Sequence, residues 1–240
     1  MDSVQKDRYI EQREIFKMLK VENVVFPSGE QLEAVIRGMR NPMNSWNKSD
    51  SDWEVGNWCD SEFMLGDADM NLMNRLFKGG TEHRKYLRMI PVYMDITAPL
   101  YWWKEFDTYK IGTVANSCST MHKIHEKEFT LEDFSCEHLN RIGTSTLWET
   151  IDILNTARTL YLKGGRYRGE HYDAKDKQVW WQMIQLLPSS YNQKRTVMMN
   201  YEVCARIIDQ RSNHKLDEWH TLIDELKQLP YMNAIMKFDD

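Results

Sequence analysis

The sequence predicts a helix-rich α+β fold. Three observations predict it. Apolar residues recur at helical spacing through most of the chain, most densely in the last third. Only Val92-Tyr93-Met94-Asp95-Ile96-Thr97 alternates clearly like a half-buried strand. The composition is that of a globular protein, with 42% apolar and 28% charged residues. With 240 residues, the chain is long enough for one large domain or two small ones.

The elements follow in order. Residues 1–20 read as a helix, with Ile10, Ile15, Phe16 and Leu19 on one face. Val24 to Gly29 reads as a short extended piece and a turn at Pro27-Ser28-Gly29. Residues 30–40 are helical, with Leu32, Val35, Ile36 and Met39 inward. Residues 41–61 are the least regular stretch, yet carry Trp46, Trp53 and Trp58. A flexible linker seldom carries so much aromatic surface. The reading is an ordered loop whose indoles dock on the body or on a partner, set against a solvent-exposed insertion. Residues 64–78 are helical and stop at Gly79-Gly80. Thr97-Ala98-Pro99 is read as the start of a helix through Phe106, with Pro in its first turn. Residues 108–121 are small, polar and turn-prone. Such a segment after a strand and helix presents backbone N–H groups and hydroxyls to a ligand, or serves as an ordinary connection. Residues 145–162 are helical, and Gly164 to Gly169 form a glycine-punctuated basic loop that lacks the P-loop pattern. A helix from Lys177 to Leu187 stops at Pro188. Residues 195–211 are read as one helix, with Val197, Asn200, Cys204, Ile207, Ile208 and Arg211 in a stripe. A last helix runs from Leu216 to Leu229 and closes at Pro230.

Charge and cysteine content narrow the function classes. Lys plus Arg number 31 against 36 Asp plus Glu, a net charge of −5, so no nucleic-acid partner is expected. No apolar run approaches a membrane span, and the N-terminus lacks a signal-peptide pattern. Four cysteines without short paired spacing make no disulfide framework, which predicts a reducing, cytoplasmic setting. His122 with His125, and His214 with His220, lack the companions of a metal site, and read as surface or core histidines. Cys118 has His122 and His125 behind it, but a nucleophile needs a fixed base that spacing alone does not supply. Arg211 is more informative. A guanidinium keeps its charge, so on an apolar stripe it needs a carboxylate or an anionic or carbonyl-bearing ligand. Glu202 and Asp217 are the candidate carboxylates. Asn200 and Arg211 lie eleven residues apart, about three helical turns, so one helix would bring both to one face.

The order Leu187-Pro188, Asn200, Arg211 and Asp217-Glu218-Trp219 resembles the late pattern of the flavin-dependent thymidylate synthases, the ThyX family, and the first three keep its spacing. Ile96-Thr97-Ala98-Pro99-Leu100-Tyr101 resembles that family's strand and Ala-Pro helix start. Lys104 to Thr113 and Asn116 to Ser119 then fall where its Arg-Gln-x-x-Arg-His-Arg-x-x-Ser-x-Asn-Glu-x-Ser signature stands. His83 falls where the family has a flavin-contacting His. The resemblance spans residues 75–125 and 180–225. Departures are plain. Thr108-Tyr109-Lys110 replaces Arg-His-Arg, and Glu105 replaces Gln. Ile184, with Gln182 and Gln185 nearby, replaces a nucleotide-contacting Arg, and Glu202 replaces another Arg.

The resemblance implies a single domain over 1–240, with N-terminal helices and the Trp-rich loop in 1–60 and the core in 61–240. It implies a small antiparallel sheet packed against long helices. It implies a homotetramer with sites formed between subunits, so an oligomer is expected. It implies a nucleotide ligand, dUMP or a related pyrimidine nucleotide, held by Arg211 as the polarising group and by Asn200, Ser119, Thr113 and Gln185. It implies FAD contacts by His83, Tyr109, Lys110, Glu105 and Arg206, with NADPH and methylenetetrahydrofolate required if the methylation is retained. Trp102 and Trp103 are read as a ring-stacking pair or as core. The missing Arg-His-Arg sets a second function beside the first: a non-catalytic protein that binds or sequesters a nucleotide without flavin chemistry.

Overall fold

The computed structural model describes residues 19–55 and 61–237. It is a helix-rich α+β protein with a small antiparallel sheet. In chain order the elements are β1 (Lys20–Val25), α1 (Gly29–Arg40), β2 (Asp52–Val55), β3 (Ser61–Met64), α2 (Asp67–Lys78), β4 (Pro91–Pro99), α3 (Leu100–Phe106), β5 (Thr113–Ser117), α4 (Thr120–Lys123), α5 (Arg141–Lys163), β6 (Gly165–Tyr167), β7 (Glu170–Tyr172), α6 (Lys177–Leu186), β8 (Asn192–Asn200), α7 (Tyr201–Arg211), α8 (Asp217–Lys227) and α9 (Met232–Met236). Short 3-10 turns at Asn41–Met43, Trp46–Lys48, Arg84–Met89 and Leu131–Asp133 join them. The main sheet has the order β1-β4-β8-β5. Among the described residues, no helix is long and apolar enough to cross a membrane.

The chain divides into two compact units, neither of them one continuous stretch. One contains Thr97–Phe106 and Asn116–Arg195. Its α5 starts at Asn140, whose side chain accepts from the Gly143 N–H at 2.9 Å, and buries Leu147, Ile151 and Leu154. These residues pack with Phe129, Phe134, Val179 and Met183 into a core shared with α6. Trp102, Trp103 and Phe106 form a second cluster with ring centroids 4.9–5.2 Å apart. Both indoles are buried, and Trp103 Nε1 donates to the Gln193 carbonyl at 2.9 Å. They are core residues and offer no open face for a ring.

The other unit holds Val21–Ile96, Asp107–Ala115 and Thr196–Asp240. Its core gathers Leu32, Val35 and Ile36 of α1, Met73 of α2, Val92, Met94 and Ile96 of β4, and Cys204, Ile207 and Ile208 of α7. Trp219, Leu222 and Leu226 of α8 are buried as the helical spacing predicts. Two buried tyrosine hydroxyls find partners: Tyr86 Oη donates to the Met73 carbonyl, and Tyr201 Oη to the Pro230 carbonyl.

The Trp-bearing stretch is an ordered loop over its described part. Asp69 is buried and accepts from Arg40 Nε, Ser49 Oγ, Ser51 Oγ and the Ser51 N–H. Asp50 caps α2 by accepting from the Ala68 and Asp69 N–H groups. Trp46 Nε1 donates to Asn41 Oδ1 at 2.8 Å, and Trp53 packs edge-on against Phe63. Residues 52–55 and 61–64 pair as an antiparallel hairpin. Trp58 lies outside the described residues.

Several local readings need correction. Residues 195–200 are strand, not helix: Gln193, Val197 and Met199 point inward in alternation, and α7 starts only at Tyr201. Val197 and Cys204 matched a helical stripe by coincidence of spacing. Pro99 closes β4 and does not sit in a helix turn. The polar 108–121 stretch contains β5, and the glycine-punctuated loop at 164–169 opens the β6–β7 hairpin. The reading of residues 1–20 as a helix lies outside the described residues, except that Lys20 opens β1.

Candidate functional site

A cleft of about 470 Å³ opens between the loop Thr108–Ile111 and the C-terminal half of α7. Lys110 and Ile111 line it from the loop, and Arg206, Gln210 and Arg211 from the helix. Its lining among the described residues carries three cations and no acid. Such a surface attracts an anion, and the volume suits a small-molecule ligand.

The loop is held in place by Gly112 and Asn200. Gly112 has φ +82°, in the left-handed region that favours glycine. A Cβ there would come within 2.5 Å of Asn200 Nδ2 and 3.1 Å of Val203 Cγ2. The Asn200 N–H donates to the Gly112 carbonyl at 3.2 Å. Asn200 Oδ1 accepts from the Val203 N–H at 3.0 Å, capping α7. Asn200 is therefore the helix N-cap, not a member of the helix face. Asn200 and Arg211 do not share a helix face, because the strand β8 runs through Asn200 and α7 starts only at Tyr201; Asn200 instead ties the loop to the helix that carries Arg211.

Tyr109 organises the cleft from beneath. It is only 4% exposed, and its ring meets Trp219 edge-on at 5.9 Å. Its hydroxyl donates to Gln210 Oε1 at 3.2 Å and accepts from Arg211 Nε at 3.0 Å. The guanidinium carbons of Arg206 and Arg211 lie 5.4 and 5.6 Å from the Tyr109 ring, and that of Arg211 lies 4.6 Å from the Trp219 ring. Arg211 sits in the last turn of α7, where the free carbonyls favour a cation. Arg206 Nε is buried and has no hydrogen-bond partner among the described residues, and the same holds for Thr113 Oγ1. Burial pushes the Glu202 carboxyl up, while Arg84, Arg88 and Arg206 pull it down and do not fully offset the burial.

The cleft thus brings together four of the sequence-predicted residues: Tyr109, Lys110, Arg206 and Arg211. Asn200 stands behind them, and Thr113 opens β5 just past Gly112. His83 is not in the cleft lining. It caps the 3-10 turn at Arg84–Met89, and its Nε2 lies 3.8 Å from Glu82. Ser119, Gln185 and Glu105 belong to the other unit. There, Ser119 Oγ accepts from the His122 N–H, Gln185 is exposed on α6 and Glu105 is half-buried on α3. Sequence reasoning missed Gln210 and the buried role of Tyr109. A glutamine beside Arg211 on a polar helix edge carries no pattern that would have singled it out.

The class these features define is a helix-rich α+β fold with a cationic cleft on its late helix. No protein-family model matches the chain, and the comparison with curated proteins gives no match. Solved structures do match in fold. A crystal structure of thymidylate synthase X (ThyX) from Helicobacter pylori with FAD and dUMP is similar with a TM-score of 0.59 at 16% identity, over 92% of this chain and 97% of that one. A second, of the flavin-dependent thymidylate synthase ThyX from Helicobacter pylori complexed with FAD and dUMP, gives 0.57 at 15% identity with the same coverage.

Proposed function

We propose that the chain is a ThyX-like nucleotide-binding protein and that the Arg206–Arg211 cleft is where the nucleotide binds. One observation carries this reading: three cations converge on a cleft without an acid, and one of them is held by a buried tyrosine hydroxyl. Fixing Arg211 through Nε leaves its orientation set before the ligand arrives, which lowers the cost of binding. A pyrimidine ring places its carbonyl oxygens against that guanidinium. Negative charge developing on such an oxygen is stabilised there, an effect that grows as a reaction proceeds. The ligand is dUMP or a related pyrimidine nucleotide, and Thr113 is a proposed phosphate partner.

The donor set also fits a flavin nucleotide. Arg206 Nε, buried and unpartnered among the described residues, is a donor suited to a phosphate or a ring carbonyl. Arg206 and Lys110 are the residues proposed to hold it, with His83 as an outlying candidate. Bound FAD supplies hydride chemistry, which the protein's own side chains do not. NADPH and methylenetetrahydrofolate enter this proposal only with the full methylation of dUMP. We propose a homotetramer by the same analogy, tested by light scattering, in which a monomer counts against shared sites.

A second reading has its own support. Tyr109 stands at the centre of the segment that replaces Arg-His-Arg, and its ring is packed into the protein. That residue serves the scaffold, which favours a protein that binds a nucleotide without flavin chemistry. The absorbance spectrum of the purified protein separates the two. Flavin bands, or their appearance after FAD is added and excess removed, support the enzyme. A colourless protein that takes up no FAD but still binds dUMP supports the binding-only reading.

A further inference from the structure

A second cleft, of about 280 Å³, lies in the same unit and shares no lining residue with the Arg211 cleft. Its walls come from one stripe of α1 and from the Trp-bearing loop. Trp46 and Trp53, with Ile36 and Phe63, give it apolar walls. Trp46 is 49% exposed yet fixed, because its indole N–H is tied to Asn41. A large aromatic ring held half in solvent at a cleft is a stacking surface in waiting. Trp53 is held as well, by Phe63 at 5.5 Å and by its indole N–H donating to Glu33 Oε2 at 3.4 Å, and its ring sits over Gly29, where a Cβ would collide with it.

The polar groups decide what the rings would stack on. Arg40 is 4% exposed and lines the cleft from within. Its Nε is taken by Asp69 and its Nη1 by Ser45, while Nη2 has no hydrogen bond among the described residues. A guanidinium that lines a cleft with one donor nitrogen not hydrogen-bonded within the protein offers that donor to an acceptor there. On the outer edge, Glu33 and Arg37 pair at 3.4 Å. Asp52 adds one carboxylate. Both arginines are thus already balanced by acids, and the lining has no surplus positive charge. That disfavours a phosphate and favours a neutral group with donors as well as acceptors on its edge. The volume sits at the small end of ligand sites, enough for one ring system.

We propose that this cleft is a ligand site for one neutral heteroaromatic ring of purine size, laid against the Trp46 face and hydrogen-bonded at its edge by Arg40 and by the Glu33 carboxylate. The proposal is independent of nucleotide binding at Arg211.

The test uses the full chain and adenosine as probe, in equilibrium dialysis with labelled ligand. The expected result is saturable binding of one adenosine per chain. Trp46→Ala weakens it at least tenfold, Trp46→Phe keeps most of it, and Arg211→Ala leaves it unchanged. AMP binds no tighter than adenosine, because the cleft carries no free positive charge. Thermal melts of both Trp46 variants confirm that each is folded, and should Trp46→Ala melt early, the Trp46→Phe and Glu33→Gln pair decides: the first retains binding and the second loses severalfold. Absence of saturable adenosine binding overturns the proposal. So does binding that survives in both Trp46→Ala and Glu33→Gln, or that disappears in Arg211→Ala. Tighter binding of AMP overturns the neutral-ring assignment.

Discussion

Arg211 owes its position to Tyr109. The Nε–H···Oη bond of 3.0 Å and the Trp219 ring 4.6 Å away fix the guanidinium on two sides. Tyr109→Phe keeps the ring and deletes only the hydroxyl, which also serves Gln210. We expect a stability loss of about 0.5–1.5 kcal/mol, the net worth of such hydrogen bonding. We also expect a fall in nucleotide affinity larger than in a control variant of equal stability. Calorimetry beside thermal denaturation measures both. Arg211→Lys should not restore affinity to Arg211→Ala, since an ammonium has no planar fork to share between Tyr109 and a ligand. Equal affinity of the lysine variant and the parent would mean that only charge matters at this position.

At the scale of elements, two junctions hold the molecule's loops to its helices. The first is Gly112 against Asn200 at the head of α7. Asn200→Ala removes a helix cap, for an expected loss of about 0.5–2 kcal/mol in chemical denaturation. The second is the buried Arg40–Asp69 pair, which closes the Trp-bearing loop onto α1 and α2. Burial pushes the Asp69 carboxyl up, but hydrogen bonds from Ser49, Ser51 and Arg40 outweigh it and leave the group below its ordinary range. A depressed carboxyl contributes stability that is complete above the unfolded value, near pH 4, and is lost as pH falls through the folded one. The midpoint of unfolding should therefore decline below about pH 4. Asp69→Asn, which leaves Arg40 buried without its counter-charge, should cost about 3–5 kcal/mol at pH 7 and flatten that acid decline. An unchanged acid limb in the variant would show that other carboxyls dominate it.

These junctions also explain what was legible in the sequence. Helices with a broad apolar stripe and clear ends, such as α1, α5 and α8, could be read directly. The Asn200 region could not, because Val197, Cys204 and Ile208 fit a helical stripe while the backbone was turning from strand to helix. The better clue was Asn200 itself, a preferred N-cap residue just before Tyr201 and Glu202. Arg206, Arg211, Tyr109 and Lys110, which the family resemblance names, line one cleft. The burial of Tyr109 was not legible, since its packing partner Trp219 lies on another element far along the chain.

At the scale of the whole molecule, a fold likeness at 16% identity over 92% of the chain means that the architecture survives while most side chains differ. The cleft beside Arg211 carries three cations and no acid in its lining among the described residues. Such a lining carries the proposal of an anionic nucleotide ligand further than it carries any proposal of chemistry, since a fold does not fix a function. The direct measurement is titration calorimetry of dUMP into the full chain and into Arg211→Ala. The account predicts saturable binding by the parent and at least tenfold weaker binding by the variant, with the two melting alike. No binding by the parent, or equal binding by both proteins, would contradict it.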